Sequence, residues 1–496
     1  MYDLYKPLRN YLRQFSQVES LHVAYCYFQY LQFAVDLPDG LGRPGFGRKL
    51  DDRMGLFEWE LEVLVREIIL NCPPRGAKTL MDWSSFAQAI NHVKRIENDV
   101  WGRLPDSEDH ILWEMHRIAH RQFPWQRKPN HPTVARYFRI FNHPQMSALT
   151  EEVMGLSPSL LYRVGLGLSG HFLKKFTALE PFDLRKLDVS PEGAKSVFDA
   201  IAVDHGSLPS LVREQQSYDV NWAYVFNPLR KFPVVRMPLG SRSALLCPIP
   251  TFLVNRITDG VYYELAHHKK FANAFGRAFE SYVGEVLSAA NKDGRLSLIP
   301  EHFYGAKSAR KATTDWIVSD GSGTMFLECK TKRLLLEAKV ELKSRETLLA
   351  ELDKMAGFVA QLYKTVNDAV SGKYEKWKPN GKPIFPIVVT LDNWHMFGFI
   401  VQERIDGAVR SKLSDMGLDP ALIDRHPYSI CAVEDLEIGI QVIAQRSIAE
   451  VLEPRLTGEH RSWVLDSFLR SEFRAEMDAA KFLFPEVWGE IHPAFA

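Results

Sequence analysis

Residues Thr313 to Arg333 read TTDWIVSDGSGTMFLECKTKR. Two short apolar runs, one around Trp316 and one around Phe326, flank a Gly-rich turn. Charged residues nevertheless sit at their outer ends: Asp315 on one side, Glu328 and Lys330 on the other. A two-residue turn at Gly321-Ser322 suits a hairpin, with Gly at its first central position favouring type II′. Such a turn sets the register. Asp315 faces Glu328, Ile317 faces Phe326 and Thr313 faces Lys330. Cross-strand partners share a face, as do residues two apart on one strand. Asp315, Glu328 and Lys330 are therefore expected together on one face, with the Cys329 thiol sent to the other as packing.

Two carboxylates and an ammonium on an apolar sheet are costly unless they pair or bind a cation. Adjacent carboxylates repel, which raises a pKa unless a cation neutralises them. Oxygen donors with room for water suit Mg²⁺ or Mn²⁺, and the backbone carbonyl of Cys329 is a further candidate ligand. The competing account is a solvated hairpin with a surface ion pair. Two other Glu-x-Lys triplets, Glu337–Lys339 and Glu341–Lys343, lie in a charged stretch leading into a helix, where solvation explains them.

Upstream, FANAFGRAFESYVGEVLSAA (Phe271 to Ala290) is patterned as an amphipathic helix. A short strand is expected near Leu296 to Pro300, a long helix over about Arg345 to Val370 and a strand over Pro383 to Leu391. A further apolar segment, Tyr428 to Val433, is a candidate strand. Helix, three strands, helix and strand make an α/β domain with a central mixed sheet flanked by helices.

The hairpin resembles the signature of the PD-(D/E)xK nuclease superfamily: an acid at the start of one strand, then acid-x-Lys on the next. Asp315, Glu328 and Lys330 match it. Many members add a glutamate on the preceding helix in a Gly-x-x-aromatic-Glu pattern, and here Gly276-Arg277-Ala278-Phe279-Glu280 lies on the upstream helix. Thr314 stands where the signature has proline. The helix after the acid-x-Lys strand often carries a Lys or Gln facing the site. Lys354 and Gln361, seven apart on one helical face, are the candidates. The resemblance covers roughly residues 268 to 435. It implies Mg²⁺- or Mn²⁺-dependent phosphodiester hydrolysis, with Asp315, Glu328 and Glu280 as metal ligands and Lys330 positioning the attacking water. It also implies DNA as the default substrate, with structured RNA such as tRNA as the alternative, and a non-cutting nucleic-acid sensor as a third reading. A nuclease domain joined to a large helical region looks like bacterial anti-phage defence proteins, an analogy that leaves room for a protein trigger and for a homodimer.

The remaining chain is less specific. Its 496 residues allow several domains, and 61 basic against 61 acidic residues argue against coating nucleic acid by bulk charge. Five scattered cysteines show neither metal-ligand spacing nor a disulfide framework, and a reducing cytoplasm is expected. No signal peptide and no apolar run of membrane-spanning length is seen, so no membrane partner is expected.

Aromatic and aliphatic residues recur at helical spacing over Asn10 to Val35, Phe57 to Leu70, Trp83 to Val100 and His110 to Arg121. The expected organisation is a mostly helical region for recognition, regulation or assembly over 1–215, and a hairpin-and-helix connector over 216–267. The nuclease-like domain follows over 268–450, with a helical tail over 451–496. The connector's strands flank a Gly-Ser turn within PLRKFPVVRMPLGSRSALLCPIP, and a helix is expected over Phe252 to Ala266. Between His116 and His143 six basic residues, Arg117, Arg121, Arg127, Lys128, Arg136 and Arg139, interleave with aromatics and no acid. Such a stripe suits phosphate contact and base stacking, or else a helix pair with a cationic outer face and an aromatic core. Gly40 to Gly47 contains G-x-G-x-x-G, but a helix precedes it and Pro44 interrupts it, so an interhelical loop is expected rather than a nucleotide site. His116 and His120 lack the glutamate of a helical zinc motif.

Overall fold

A computed structural model describes residues 1–44, 55–102, 108–126, 130–331, 345–394, 398–456 and 458–495. The Glu337–Lys339 and Glu341–Lys343 triplets, Arg127, Lys128 and the end of the Gly40–Gly47 loop lie outside the described residues. The chain divides into two compact units. The first contains the described parts of 1–268 together with the C-terminal segment from Glu486. The second contains the described parts of 269–485. The connector thus packs with the first unit, and most of the C-terminal tail with the second. Among the described residues no helix is long and apolar enough to cross a membrane.

The first unit is mainly helical. The stretch expected as one helix from Asn10 is two, Tyr2–Leu12 and Gln17–Phe33, with Phe15 buried at the break. Helix starts follow local chemistry. Asp82 accepts from Ser85 N to cap Trp83–Trp101, and Asn130 accepts from Thr133 N to cap His131–Asn142. The region up to 215 is mostly helical, as expected, but it also supplies two short strands to a four-stranded sheet. The sheet's strands are β1 (Thr177–Glu180), β2 (Ala202–Asp204), β3 (Val234–Leu239) and β4 (Arg242–Leu246), in the order β1-β4-β3-β2. The β3–β4 hairpin turns at Gly240-Ser241, where Gly240 takes a left-handed conformation (φ +60°). The helix expected from Phe252 to Ala266 breaks into Thr251–Ile257 and Asp259–Leu265.

The second unit contains β5 (Ser297–Pro300), β6 (Phe303–Tyr304), β7 (Lys311–Ala312), β8 (Trp316–Ser319), β9 (Thr324–Lys330), β10 (Ile384–Thr390) and β11 (Ser429–Ala432). Five form one mixed sheet in the order β11-β10-β9-β8-β5, while β6 and β7 pair separately. Strands β9, β10 and β11 run parallel; β8 is antiparallel to both β9 and β5. The long helix Arg345–Val370 makes the crossover from β9 to β10 that a parallel pair requires. Every residue of β10 is buried, as befits its central place.

The β8–β9 register is the one read from the turn: Trp316 faces Leu327 and Ile317 faces Phe326. The turn itself differs from the expected type II′. Gly321 does not enter the positive-φ region that type II′ demands. Instead Asp320 organises the turn through its side chain. Oδ1 accepts from Ser322 N at 2.6 Å and from Gly323 N at 2.9 Å. Oδ2 accepts from Ile448 N at 2.8 Å, and Ser322 Oγ accepts from Ala449 N at 2.9 Å. The turn therefore serves the free N–H groups that open the helix Ile448–Arg455.

Burial works against the Asp320 carboxylate, but these amide donors outweigh it and hold its pKa below the ordinary value. Asp320→Ala is expected to cost about 1–2 kcal/mol at neutral pH. A depressed carboxylate pKa stabilises fully above the unfolded value, about 4, and loses that contribution as pH falls through the folded value. Melting parent and variant at pH 7 and in acid checks this, since their gap must narrow at low pH.

Candidate active site

The helix Phe271–Ala290 lies against the start of β8. Trp316 Nε1 donates to the Glu280 carbonyl at 3.2 Å. One turn on, a Cβ at Gly284 would fall 2.2 Å from Trp316 Cζ2. Only glycine lets the helix come this close to the indole, and the approach brings Glu280 to the outer end of the β8–β9 hairpin.

Asp315 stands at that end, and its backbone breaks the pleat. Pro300 faces Trp316 in the β5–β8 ladder. Two residues on, Thr313 N donates to His302 O at 3.0 Å and His302 N to Thr313 Oγ1 at 3.1 Å. One residue, Glu301, is thus left opposite two, Thr314 and Asp315. That count defines a β-bulge, which re-aims side chains next to it. The Asp315 carboxylate turns to the next strand, where Oδ2 accepts from Cys329 N at 2.6 Å.

The single-face expectation therefore holds for Glu328 and Lys330, which pair at 2.7 Å, but not as simple alternation for Asp315. The Cys329 thiol, between Glu328 and Lys330 on β9, feels the same acids. Burial, then Asp315, Glu328 and Glu280, hold its pKa well above normal. A strand residue presents its N–H and C=O to the same neighbour. The Cys329 carbonyl is thus on the β8 side, beside Asp315.

These acids feel one another. Asp315 is pushed up to about 7 by burial and then by Glu328, with Glu280 adding to the shift against the Cys329 amide and Lys330. Glu280 is raised by burial, then by Glu301 and Glu328. Glu301 was absent from the sequence-based candidates. It follows β5 directly and faces the bulge, a position that only the β5–β8 register reveals.

Lys330 Nζ also lies 5.3 Å from the centre of the Phe358 ring. This contact marks the side of the helix Arg345–Val370 that flanks the site. Lys354 and Gln361, four before and three after Phe358, belong to that side. Lys354 pairs with Glu351 at 2.6 Å, and Gln361 is exposed. Among the described residues no three His, Cys, Asp or Glu side chains converge as a ready-made metal site. Glu328 is engaged by Lys330 and Asp315 by the Cys329 amide.

The four described arginines of the basic stripe are buried or largely buried. Arg117 is 1% exposed, pairs with Glu114 and stacks 3.7 Å from the Tyr224 ring centre. Arg121 pairs with Glu97 at 2.6 Å, Arg136 is buried, and Arg139 bonds to Glu486 and Glu490. Trp125, Tyr137, Phe138 and Phe141 are core residues. Arg117, Arg121 and Arg139 are committed to acids of their own unit and Arg136 is buried, which removes these four as an exposed nucleic-acid surface. His116 and His120 are likewise buried, ring against ring. All five cysteines are free thiols. No family model, curated protein or solved structure matches this chain.

Proposed function

We propose that the second unit hydrolyses phosphodiester bonds with the aid of Mg²⁺ or Mn²⁺, with DNA as the first substrate to test. The observation that carries this reading is the electrostatic neighbourhood of Glu280, Asp315 and Glu328 beside Lys330: Glu328 raises the pKa of both Asp315 and Glu280, although among the described residues the three acids do not form a ready-made metal cage. Burial and neighbouring acids raise the pKa of Asp315 and of Glu280, a penalty that a divalent cation relieves. The donor set fits such an ion: Asp315, Glu328 and Glu280 would hold it, with the Cys329 carbonyl on the same side. When bound, the cation would supply a more acidic water and offset charge on the scissile phosphate. Lys330, held beside Glu328, is the ammonium that would orient the attacking water and meet negative charge developing on the phosphate oxygens.

The direct experiment incubates the chain with Mg²⁺ or Mn²⁺ and plasmid, linear DNA or total RNA. Cleavage of RNA alone would assign the RNase alternative. Cleavage of none, with nucleic acid still bound, would assign the non-cutting sensor. A second test does not need turnover. A carboxylate at about 7 must lose its proton to bind a cation. Calorimetric titration with Mn²⁺ should therefore release about one proton at pH 6 and far less at pH 8.5. Buffers of different ionisation enthalpy measure the release, and equal values at both pH values would count against Asp315 as a ligand.

A further inference from the structure

A second polar site lies at the carboxyl ends of the parallel strands. A cavity of about 40 Å³ is lined by the last residues of β10 and β11, Thr390 and Ala432, and by Trp394, Asp435, Arg455 and Arg461. Crevices outside the carboxyl ends of parallel strands are the usual ligand sites of open α/β sheets.

Its wall has too many donors. Arg455 is 4% exposed, and its bonds go only to the backbone carbonyls of His460, Arg461 and Trp463. No carboxylate lies within ion-pairing distance of it among the described residues. Arg461 gives one nitrogen to Asp406 at 2.8 Å. Three N–H groups remain without an acceptor among the described residues: Arg455 Nε, Arg461 Nε and Trp394 Nε1, the indole being 3% exposed. Burial lowers the Arg455 pKa to about 10, whereas Asp435 works the other way. A buried, unpaired guanidinium beside orphan donors is costly unless an anion with several acceptor oxygens completes it.

We propose that this cavity binds the terminal phosphate group of a nucleic-acid strand. The choice of phosphate rests on the nuclease reading and on position. Thr390, on the cavity wall, is the cross-strand neighbour of Lys330. Adjacent strands lie about 4.8 Å apart, so one wall residue of the cavity sits one strand away from Lys330. A recess of about 40 Å³ with few ways in suits the compact end of a strand better than a phosphate flanked on both sides by nucleotides. The pocket thus gives the enzyme a preference for phosphorylated ends.

The test begins with inorganic phosphate, titrated calorimetrically into the full chain without divalent cation. Saturable binding is expected, weakened at least tenfold by Arg461→Gln and by Arg455→Lys, which keeps the charge but removes Nε. Circular dichroism and melting identify any variant that has unfolded, and Trp394→Phe supplies a third, milder probe. Oligonucleotides ending in 5′-phosphate, 3′-phosphate or hydroxyl then show which end is taken. No saturable phosphate binding by the folded parent, or binding unchanged in all three variants, overturns the proposal and leaves a water-filled cavity. That result leaves cleavage dependent on Asp315 and Lys330 untouched. Phosphate binding without cleavage of any nucleic acid would instead overturn the nuclease reading alone.

Discussion

Lys330→Ala should reduce cation-dependent cleavage by about a hundredfold to a thousandfold, and Asp315→Ala by about a thousandfold or more. The two losses have different causes. Lys330 supplies an ammonium at the place where negative charge would build on the phosphate. Removing a preorganised electrostatic donor of this kind typically costs 10²–10³ in rate. Asp315 is argued to hold the cation itself, so its loss should also weaken Mn²⁺ binding. Lys330→Ala should not weaken that binding, because it frees Glu328 from its ion pair. Measuring Mn²⁺ affinity beside cleavage separates the two roles. Full cleavage by both variants would place the chemistry elsewhere in the chain.

Asp315→Asn should make the cation-free protein more stable at pH 8. The Asp315 carboxyl is pushed up to about 7 in the fold, against about 3.9 when unfolded. The folded chain therefore keeps a proton that the unfolded chain has lost, and stability declines as pH rises from about 4 through about 7. Above that window the full penalty of a buried, repelled charge is present. Asparagine has the same shape, carries no charge, and still offers an oxygen to the Cys329 amide. The upper limit from the shift is about 4 kcal/mol. Relaxation of the surroundings and water entry bring the expected gain to about 1–3 kcal/mol. Melts in chelator at pH 4 and pH 8 check the sign: the gain should vanish at the lower pH. A variant less stable than its parent at pH 8 would mean that Asp315 supports the fold instead of straining it.

Local pattern carried the second unit a long way. The helix Phe271–Ala290, the hairpin register and the long crossover helix all follow from apolar spacing and a two-residue turn. The bulge at Thr314 and Asp315 does not, because it arises where β5 and β6 pair with β8 and β7, and no short window of sequence contains both sides. The same gap hid Glu301. In the first unit, β1 and β2 are four and three residues long, too short for a period to show. The basic stripe misled for a related reason. The acids that neutralise Arg121 and Arg139 are Glu97, Glu486 and Glu490, distant in sequence and adjacent only after folding.

The Asp320 turn has a mechanical consequence. It grips the first amides of the helix Ile448–Arg455, and the last residue of that helix is the guanidinium in the cavity wall. Eight residues at 1.5 Å each make a rod of about 12 Å. The hairpin thus has the acidic cluster at one end and, at the other, a rod whose tip reaches the second pocket. A lengthwise slip of the hairpin would pull on both ends together, because the turn is joined to Arg455 by a helical rod rather than by a loop.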